Sequence, residues 1–233
     1  MGKLIGIGGG RYDIGEITNI AEYIVSLSEN KNPNVIFLPT AGFDDMDGDE
    51  PIFDTFEKLG CSIKPMLLSK ENYTSKQIEN EIMSADIIYV GGGNLKFLMD
   101  TWAKTGADVI LKKAFEKGKI LSGYSSGMMC WFSEGYDDCN DGEFMFVDCL
   151  GLLPYSSCPH FEGGRWPTFE QAIKGHKYSA YAAENGAAIC YIDGKTSVIC
   201  GNEGGRVYFF NKEKNHAKEI FGGEPQIWNI IPT

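Results

Sequence analysis

The chain has 233 residues, of which 43% are hydrophobic and 23% are charged, a composition that is typical of an ordinary globular protein. This length is sufficient for one well-buried domain, so we expect a single domain that spans residues 1–233. The net charge of −11 argues against a nucleic-acid partner or an anionic membrane surface, because both bind clusters of Lys and Arg.

The first half of the sequence alternates short apolar runs with helical patterns. Strands are predicted over Lys3–Gly8, Asn34–Pro39, Ser62–Leu68, Asp86–Val90 and Lys119–Tyr124. Helices are predicted near Ile17–Leu27, Ile52–Leu59, Ser75–Met83 and Ala107–Glu116. The run Asp86–Val90 is apolar without alternation, as expected for a strand that is covered on both faces. This order predicts an α/β fold in which a mostly parallel central sheet lies between helical layers, a three-layer sandwich.

The second half of the sequence changes character after Phe132. A polar acidic loop is predicted over Ser133–Glu143, and a helical segment near Thr168–Lys177. Strands are then predicted over Ala187–Ile192, Thr196–Cys200 and Arg206–Phe210. They are separated by Asp193-Gly194 and by Asn202–Gly205, which are turn sequences typical of hairpins. We therefore expect C-terminal antiparallel hairpins beside the parallel sheet.

The seven cysteines indicate a reducing compartment. They are spread without a CxxC pair, and several lie in apolar runs such as Val198–Cys200, which is typical of buried free thiols. No apolar stretch approaches the roughly 20 residues that span a bilayer, and the first residues lack the pattern of a signal peptide. We therefore expect a cytoplasmic protein with no membrane partner.

The most informative segment is Gly123-Tyr124-Ser125-Ser126-Gly127, which follows a predicted strand and precedes a short helix. The pattern G-x-S-x-G in this context makes a nucleophile elbow, which lifts the serine hydroxyl clear of the sheet. The N-terminus of the following helix directs amide N–H groups to the place where an oxyanion would form. We interpret Ser125 as a candidate nucleophile, and a plain turn between strand and helix is the alternative.

A nucleophilic serine needs a general base, and the sequence contains three histidines. His176 lies between Gly175 and Lys177 and is expected at a solvated helix end, while His216 lies in a polar run and is expected to be exposed. His160 differs because it closes an apolar run at the start of a loop. It is therefore the candidate base, although a structural histidine would also suit that position.

Two glycine-rich turns follow predicted strands. The turn Gly91–Asn94 ends a buried strand, and ligands of open α/β sheets bind at the carboxyl ends of strands. We expect it to share a crevice with Ser125 and to complete an oxyanion hole with the N–H of Ser126. The turn Gly8–Gly10 lacks the third glycine of a dinucleotide fingerprint, because Arg11 stands there, so we interpret it as a close strand-to-helix turn.

Together these motifs resemble the peptidase E family of serine peptidases, which also includes cyanophycinases. The resemblance spans the glycine-rich first turn, N-V-I-F-L-P-T at 34–40, G-G-G-N at 91–94, G-Y-S-S-G at 123–127 and P-H-F at 159–161. It implies a fold similar to class I glutamine amidotransferases, and a serine hydrolase that cleaves short peptides through an acyl-enzyme, without a cofactor or metal. By this resemblance Ser125 is the nucleophile and His160 the general base. The residues that line the oxyanion and substrate site would be Gly92, Gly93, Asn94 and Ser126.

The resemblance also implies an acidic partner for His160. The loop after the elbow offers Asp137, Asp138 and Asp141, and a later candidate is Glu184, a lone acid just before a predicted strand. We favour Glu184. A carboxylate there would hold the histidine tautomer and stabilise the imidazolium.

Substrate selection is the last implication of the resemblance. Peptidase E proper removes N-terminal aspartate and binds its carboxylate with an arginine, whose planar guanidinium suits bidentate contact. Arg165 is the candidate, which would favour Asp-Xaa dipeptides, while the nearby Glu162 would pair with it or favour an α-amino or basic group. An α/β-hydrolase esterase and a non-catalytic small-molecule binding protein on the same scaffold are the alternative interpretations.

Overall fold

The structure, a computed structural model, describes residues 2–139, 142–161, 166, 168–222 and 227–229. Within these residues fourteen strands form an eight-stranded and a six-stranded sheet. The strands are β1 (Lys3–Ile7), β2 (Asn34–Leu38), β3 (Ser62–Pro65), β4 (Ile87–Val90), β5 (Ile120–Tyr124), β6 (Phe132–Asp137), β7 (Met145–Asp148), β8 (Leu153–Cys158), β9 (Ala180–Ala183), β10 (Ala187–Ile192), β11 (Lys195–Cys200), β12 (Arg206–Asn211), β13 (Ala217–Gly222) and β14 (Ile227–Asn229). The helices are α1 (Thr18–Ser26), α2 (Glu50–Lys58), α3 (Ser75–Ser84), α4 (Leu95–Thr105), α5 (Ala107–Glu116), α6 (Ser126–Met129) and α7 (Phe169–Ala172).

The first sheet has the order β14-β11-β10-β1-β5-β4-β2-β3. Its strands from β1 to β3 are parallel, whereas β10, β11 and β14 are antiparallel to their neighbours. The expected parallel sheet is therefore present as one half of a mixed sheet. The carboxyl ends of β1, β4 and β5 meet at one edge, and the candidate site lies there.

The parallel strands are buried on both faces because their side chains alternate between two apolar clusters. In β4, Ile88 and Val90 pack in one cluster, and Ile87 and Tyr89 pack in the other. Helices α3, α4 and α5 contribute to the first cluster, and α1 and α2 contribute to the second. This arrangement confirms the layered α/β packing expected from the apolar run at 86–90.

The second sheet, with the order β13-β12-β9-β8-β6-β7, was not expected from the sequence. The prediction of an acidic loop over Ser133–Glu143 was wrong, because β6 covers Phe132–Asp137. The acidic side chains misled the interpretation: Glu134 and Asp137 are buried in this strand, where ion pairs and hydrogen bonds compensate them.

One of the two predicted hairpins is correct. Strands β10 and β11 pair around Asp193 and Gly194, which both have positive φ, as a type I′ turn requires. The second prediction was wrong, since Asn202–Gly205 does not join paired strands. The chain crosses there to the other sheet, where β12 pairs with β9 and β13.

The described part of the chain contains no helix that combines the length and the apolar character needed to cross a bilayer. Nor does it bring three or more His, Cys, Asp or Glu side chains together as a metal ion would need.

Candidate active site

Ser125 lies at the sharp turn between β5 and α6, with φ 57° and ψ −119°. A non-glycine residue with positive φ is strained, and such strain is concentrated at functional sites. Its N–H donates to the carbonyl of Ile7 at 3.0 Å, which ties the turn to the end of β1. The residue in the unusual conformation is thus the serine itself.

The glycines of the G-x-S-x-G motif serve close approach rather than conformational freedom. A Cβ on Gly123 would lie 2.5 Å from the Val90 carbonyl oxygen and 2.6 Å from that of Gly127. A Cβ on Gly127 would lie 2.1 Å from the same Val90 oxygen. Glycine is therefore required for β4, β5 and α6 to pack closely enough to hold Ser125 in place.

His160 follows β8 and faces Ser125. Its Nε2 lies 2.9 Å from Ser125 Oγ, so the two side chains are within direct proton-transfer distance. The His160 backbone has φ 49°, and its N–H donates to the Gly8 carbonyl at 2.9 Å. The ring of Trp166 meets the imidazole edge-on, with centroids 5.8 Å apart. The histidine is thus fixed from its backbone and from its ring.

The residue on the other ring nitrogen differs from our expectation. His160 Nδ1 lies 2.7 Å from Oδ1 of Asn185. Glu184, the carboxylate that we favoured for this position, instead accepts a hydrogen bond from the Tyr208 hydroxyl. The partner of His160 is therefore Asn185 and not Glu184, the residue before it. In the turn between β9 and β10 the side chain of Asn185 points to the histidine, while that of Glu184 points to β12.

Of the alternative acids, Asp137 has a defined partner in α4. The Asp137 carboxylate is buried and accepts the N–H of Leu95 at 3.2 Å, at the start of α4. Burial raises the pKa of Asp137, and the hydrogen bond from Leu95 partly opposes this increase. Asp138 is half-buried beside it, and Asp141 lies outside the described residues. Asp137 thus contacts α4, not the histidine.

The glycine turn after β4 packs directly against the elbow. A Cβ on Gly92 would lie 3.1 Å from the Cβ of Ser125, and one on Gly93 would lie 2.2 Å from the Ala41 carbonyl oxygen. Ser126 is fully buried and its hydroxyl donates to the Gly93 carbonyl at 2.5 Å. Gly92 thus packs against Ser125, and a hydrogen bond joins Gly93 to the neighbouring Ser126.

Asn94 has a structural role in this turn. Its side-chain oxygen accepts the N–H of Phe97 at 2.8 Å and caps α4, a helix that the sequence interpretation missed. Its Nδ2 donates to the Cys139 carbonyl at 2.5 Å. These contacts explain the asparagine without a substrate.

The first glycine turn belongs to the site. Gly9 has φ 153°, and a Cβ there would lie 2.4 Å from the ring of His160 and 2.2 Å from Asn185 Oδ1. The sequence interpretation treated this turn only as a tight connection. Its absence of side chains is what allows the backbone to pass under the histidine.

The other histidines differ from expectation. His176 is not at a solvated helix end: its Nε2 lies 2.5 Å from the buried carboxylate of Glu134, which Lys177 also contacts at 2.5 Å. Burial alone would raise the pKa of Glu134, but the hydrogen bonds from Lys177 and His176 outweigh it and lower the pKa. His216 is half-buried, and its Nε2 lies 3.2 Å from the Tyr178 carbonyl oxygen.

The residues expected to select the substrate, Arg165 and Glu162, lie outside the described residues. A cavity of about 440 Å³ adjoins Tyr124 of the elbow. Glu50 lines this cavity at the start of α2. Burial raises the pKa of Tyr124 to about 12, with a further contribution from the negative charge of Asp49.

A family model and a relative in sequence both identify the chain as similar to peptidases. The model of Peptidase family S51 matches residues 4–199. A Bacillus subtilis (strain 168) protein named uncharacterized peptidase YgaJ is 34% identical over 227 residues, which are 94% of this chain and 96% of that protein.

Two solved structures share the fold. A peptidase from an acI-B1 actinobacterium has a TM-score of 0.77 at 16% identity, over 99% of this chain and 97% of that one. A Listeria monocytogenes EGD-e protein provisionally named peptidase E has a TM-score of 0.68 at 22% identity, over 86% of this chain and 98% of that one.

Proposed function

Because the chain belongs to Peptidase family S51, we propose that it is a serine peptidase that hydrolyses short peptides through an acyl-enzyme on Ser125. The observation that carries this proposal is the 2.9 Å contact between Ser125 Oγ and His160 Nε2 at a strained strand-to-helix turn. A nucleophile in contact with its base is the arrangement that covalent hydrolysis requires.

The first half of the reaction forms the acyl-enzyme. His160 Nε2 accepts the hydroxyl proton while Ser125 Oγ attacks the carbonyl carbon of the substrate. The amide of Ser126, at the first position of α6, has no intrahelical acceptor and donates to the oxyanion together with an N–H of Gly92 or Gly93. His160 then returns the proton to the leaving amine, the C–N bond breaks, and the acyl group remains on Oγ.

The second half releases the acid. A water molecule gives a proton to His160 Nε2 as its oxygen attacks the acyl carbon. Collapse of this second tetrahedral species breaks the bond to Ser125 Oγ, which recovers its proton from His160. In both halves His160 moves the proton, Ser125 carries the acyl group, and the backbone N–H groups stabilise the oxyanion.

We further propose that the substrate is a dipeptide or the N-terminus of a short peptide, with Asp-Xaa as the preferred type if Arg165 reaches the crevice. The family resemblance supports this choice. Arg165→Met should then reduce kcat/KM on Asp-Xaa substrates far more than on Leu-Xaa or Ala-Xaa substrates. Equal losses on all of them would leave a general short-peptide hydrolase.

The test of the reaction is hydrolysis of a panel of Xaa-p-nitroanilides and Asp-Xaa dipeptides by the wild type and by Ser125→Ala. We expect turnover by the wild type and a loss of several orders of magnitude in the variant, with an unchanged circular dichroism spectrum. A wild type that hydrolyses no peptide but binds small molecules would favour the non-catalytic alternative. Turnover of p-nitrophenyl esters alone would favour an esterase.

A further inference from the structure

The hydrogen bond on His160 Nδ1 determines which tautomer serves Ser125. The Oδ1 atom of Asn185 can only accept, so at 2.7 Å it requires a proton on Nδ1. A neutral imidazole with its proton on Nδ1 has a lone pair on Nε2, and this lone pair faces Ser125 Oγ at 2.9 Å. The amide thus sets the histidine in the form that can accept the serine proton.

Asn185 is held by backbone contacts on both sides. The N–H of Glu184 donates to the Arg206 carbonyl at 2.9 Å, and the N–H of Gly186 donates to the Gly9 carbonyl at 3.0 Å. Gly9 in turn packs against both Asn185 Oδ1 and the His160 ring. The turn between β9 and β10 therefore presents this side chain in one fixed direction.

The adjacent acid does not compete for the histidine. Tyr208 on β12 donates its hydroxyl to the Glu184 carboxylate. In the turn between β9 and β10 the two neighbouring side chains therefore have different partners, Glu184 on β12 and Asn185 at the histidine. The imidazole contacts Ser125 Oγ, Asn185 Oδ1 and the ring of Trp166, and Gly9 packs closely against it.

We propose that Asn185 is the positioning residue of this active site, an uncharged group that holds the Nδ1 proton of His160 and so directs Nε2 to Ser125. This inference rests on the proposed peptidase function. It makes the third member of the triad a neutral amide, as in cysteine peptidases with a Cys-His-Asn triad. The imidazolium of the transition state is then oriented by the amide dipole rather than by a carboxylate.

The experiment compares Asn185→Ala, Asn185→Asp and Glu184→Gln in the full chain. Removing the amide should lower kcat about 100-fold with little change in KM, because the base loses its orientation while the substrate contacts remain. Aspartate has nearly the same shape and should restore most of the activity. It should also move the acidic limb of the kcat/KM profile upward by about 1–2 pH units, since a carboxylate stabilises the imidazolium. Glu184→Gln keeps an acceptor for Tyr208 and should leave kcat and the pH profile as in the wild type.

A spectroscopic measurement keeps the test decisive if Asn185→Ala folds poorly. Nitrogen-15 NMR of the histidine side chains should show a protonated Nδ1 and an unprotonated Nε2 for His160 in the wild type near pH 8, and His160→Ala assigns the signal. A wild-type His160 with its proton on Nε2 would overturn the inference. So would an Asn185→Ala variant with unchanged kcat and pH profile.

A role of Glu184 as the third member of the triad would give a different result. Loss of activity in Glu184→Gln together with full activity in Asn185→Ala would identify Glu184 as the third member and refute the role of Asn185. Activity that survives Ser125→Ala would refute the peptidase mechanism itself. The two failures are therefore distinguishable.

Discussion

At the residue scale, the two adjacent serines of the elbow have opposite environments. Ser126 is fully buried and its hydroxyl is bound to the Gly93 carbonyl, whereas Ser125 takes the strained conformation that turns its hydroxyl to His160. A hydroxyl already committed to a buried acceptor is a poor nucleophile, because attack would break that bond and leave the carbonyl unsatisfied. This difference, which sequence alone does not reveal, supports Ser125.

Gly9 packs against the side chains of His160 and Asn185, and this contact leads to a prediction. In Gly9→Ala the new methyl group would overlap the His160 ring and Asn185 Oδ1, so the pair must shift. We expect kcat/KM to fall by about 100-fold or more, the usual effect of a displacement near 1 Å at a reacting group. Steady-state kinetics on the best peptide substrate measures the loss.

The control for this variant is Gly118→Ala. Gly118 also has positive φ (82°), but an added Cβ meets no atom within 4 Å. It should lose stability through backbone strain while kcat/KM stays near the wild-type value. Similar kinetics in the two variants would contradict the role given to Gly9.

How far the site could be predicted depends on the signal that each residue leaves in the sequence. Ser125 lies in a turn motif with a physical rationale, and His160 was favoured because the other two histidines had polar surroundings. Asn185 leaves no such signal, because a carboxylate stands next to it and only the direction of the β9–β10 turn distinguishes the two. The contact of Gly9 with the histidine likewise depends on tertiary packing, which cannot be predicted from a glycine-rich turn.

At the element scale, helix α2 begins beside the site with an unfavourable charge. Asp49 precedes the helix, and burial with the nearby charges of Glu50 and Asp45 raises its pKa to about 6. Its folded-state pKa thus exceeds the value of 3.8 for a free carboxyl group. The protonated carboxyl group of Asp49 therefore stabilises the folded state at acidic pH. This stabilisation is lost as the pH rises through about 6.

Asp49→Asn should therefore stabilise the protein at pH 8 and have little effect near pH 4. We expect a gain of about 1 kcal/mol at pH 8, a fraction of the full shift because Asp49 is partly solvated. Thermal unfolding at both pH values checks this, and the gain corresponds to a Tm increase of about 2–4 °C. The exposed neighbour Asp47→Asn is the control and should change Tm less. A larger gain at pH 4 than at pH 8 would show that the sign is wrong.

Secondary structure was predictable where apolar periodicity was undisguised. The strands of the parallel half and the type I′ hairpin match their sequence patterns. Helix α4 was missed although Asn94 caps it and Leu95, Leu98 and Trp102 share its buried face. Strand β6 was missed because its acidic residues resemble a surface loop. In the structure ion pairs compensate the buried Glu134, and a hydrogen bond from Leu95 compensates the buried Asp137.

At the scale of the whole molecule, membership of Peptidase family S51 confirms the resemblance to peptidase E that the sequence motifs indicated. Each of these motifs is weak by itself, and their order and spacing together indicated the family. The six-stranded sheet could not be anticipated, because the crossing from β11 to β12 uses a turn sequence that also suits a hairpin. Both sheets nevertheless contribute to the site, since β8 leads to His160 and β5 leads to Ser125.

If Ser125 is an activated nucleophile, it should react covalently with a serine-directed reagent. The wild type is treated with a fluorophosphonate, and peptide mass mapping identifies the modified residue. We expect one phosphonylated residue, Ser125, with labelling abolished in Ser125→Ala and His160→Ala and retained in Ser126→Ala. A wild type that is not labelled, or a label found on Ser126, would show that Ser125 is not the nucleophile.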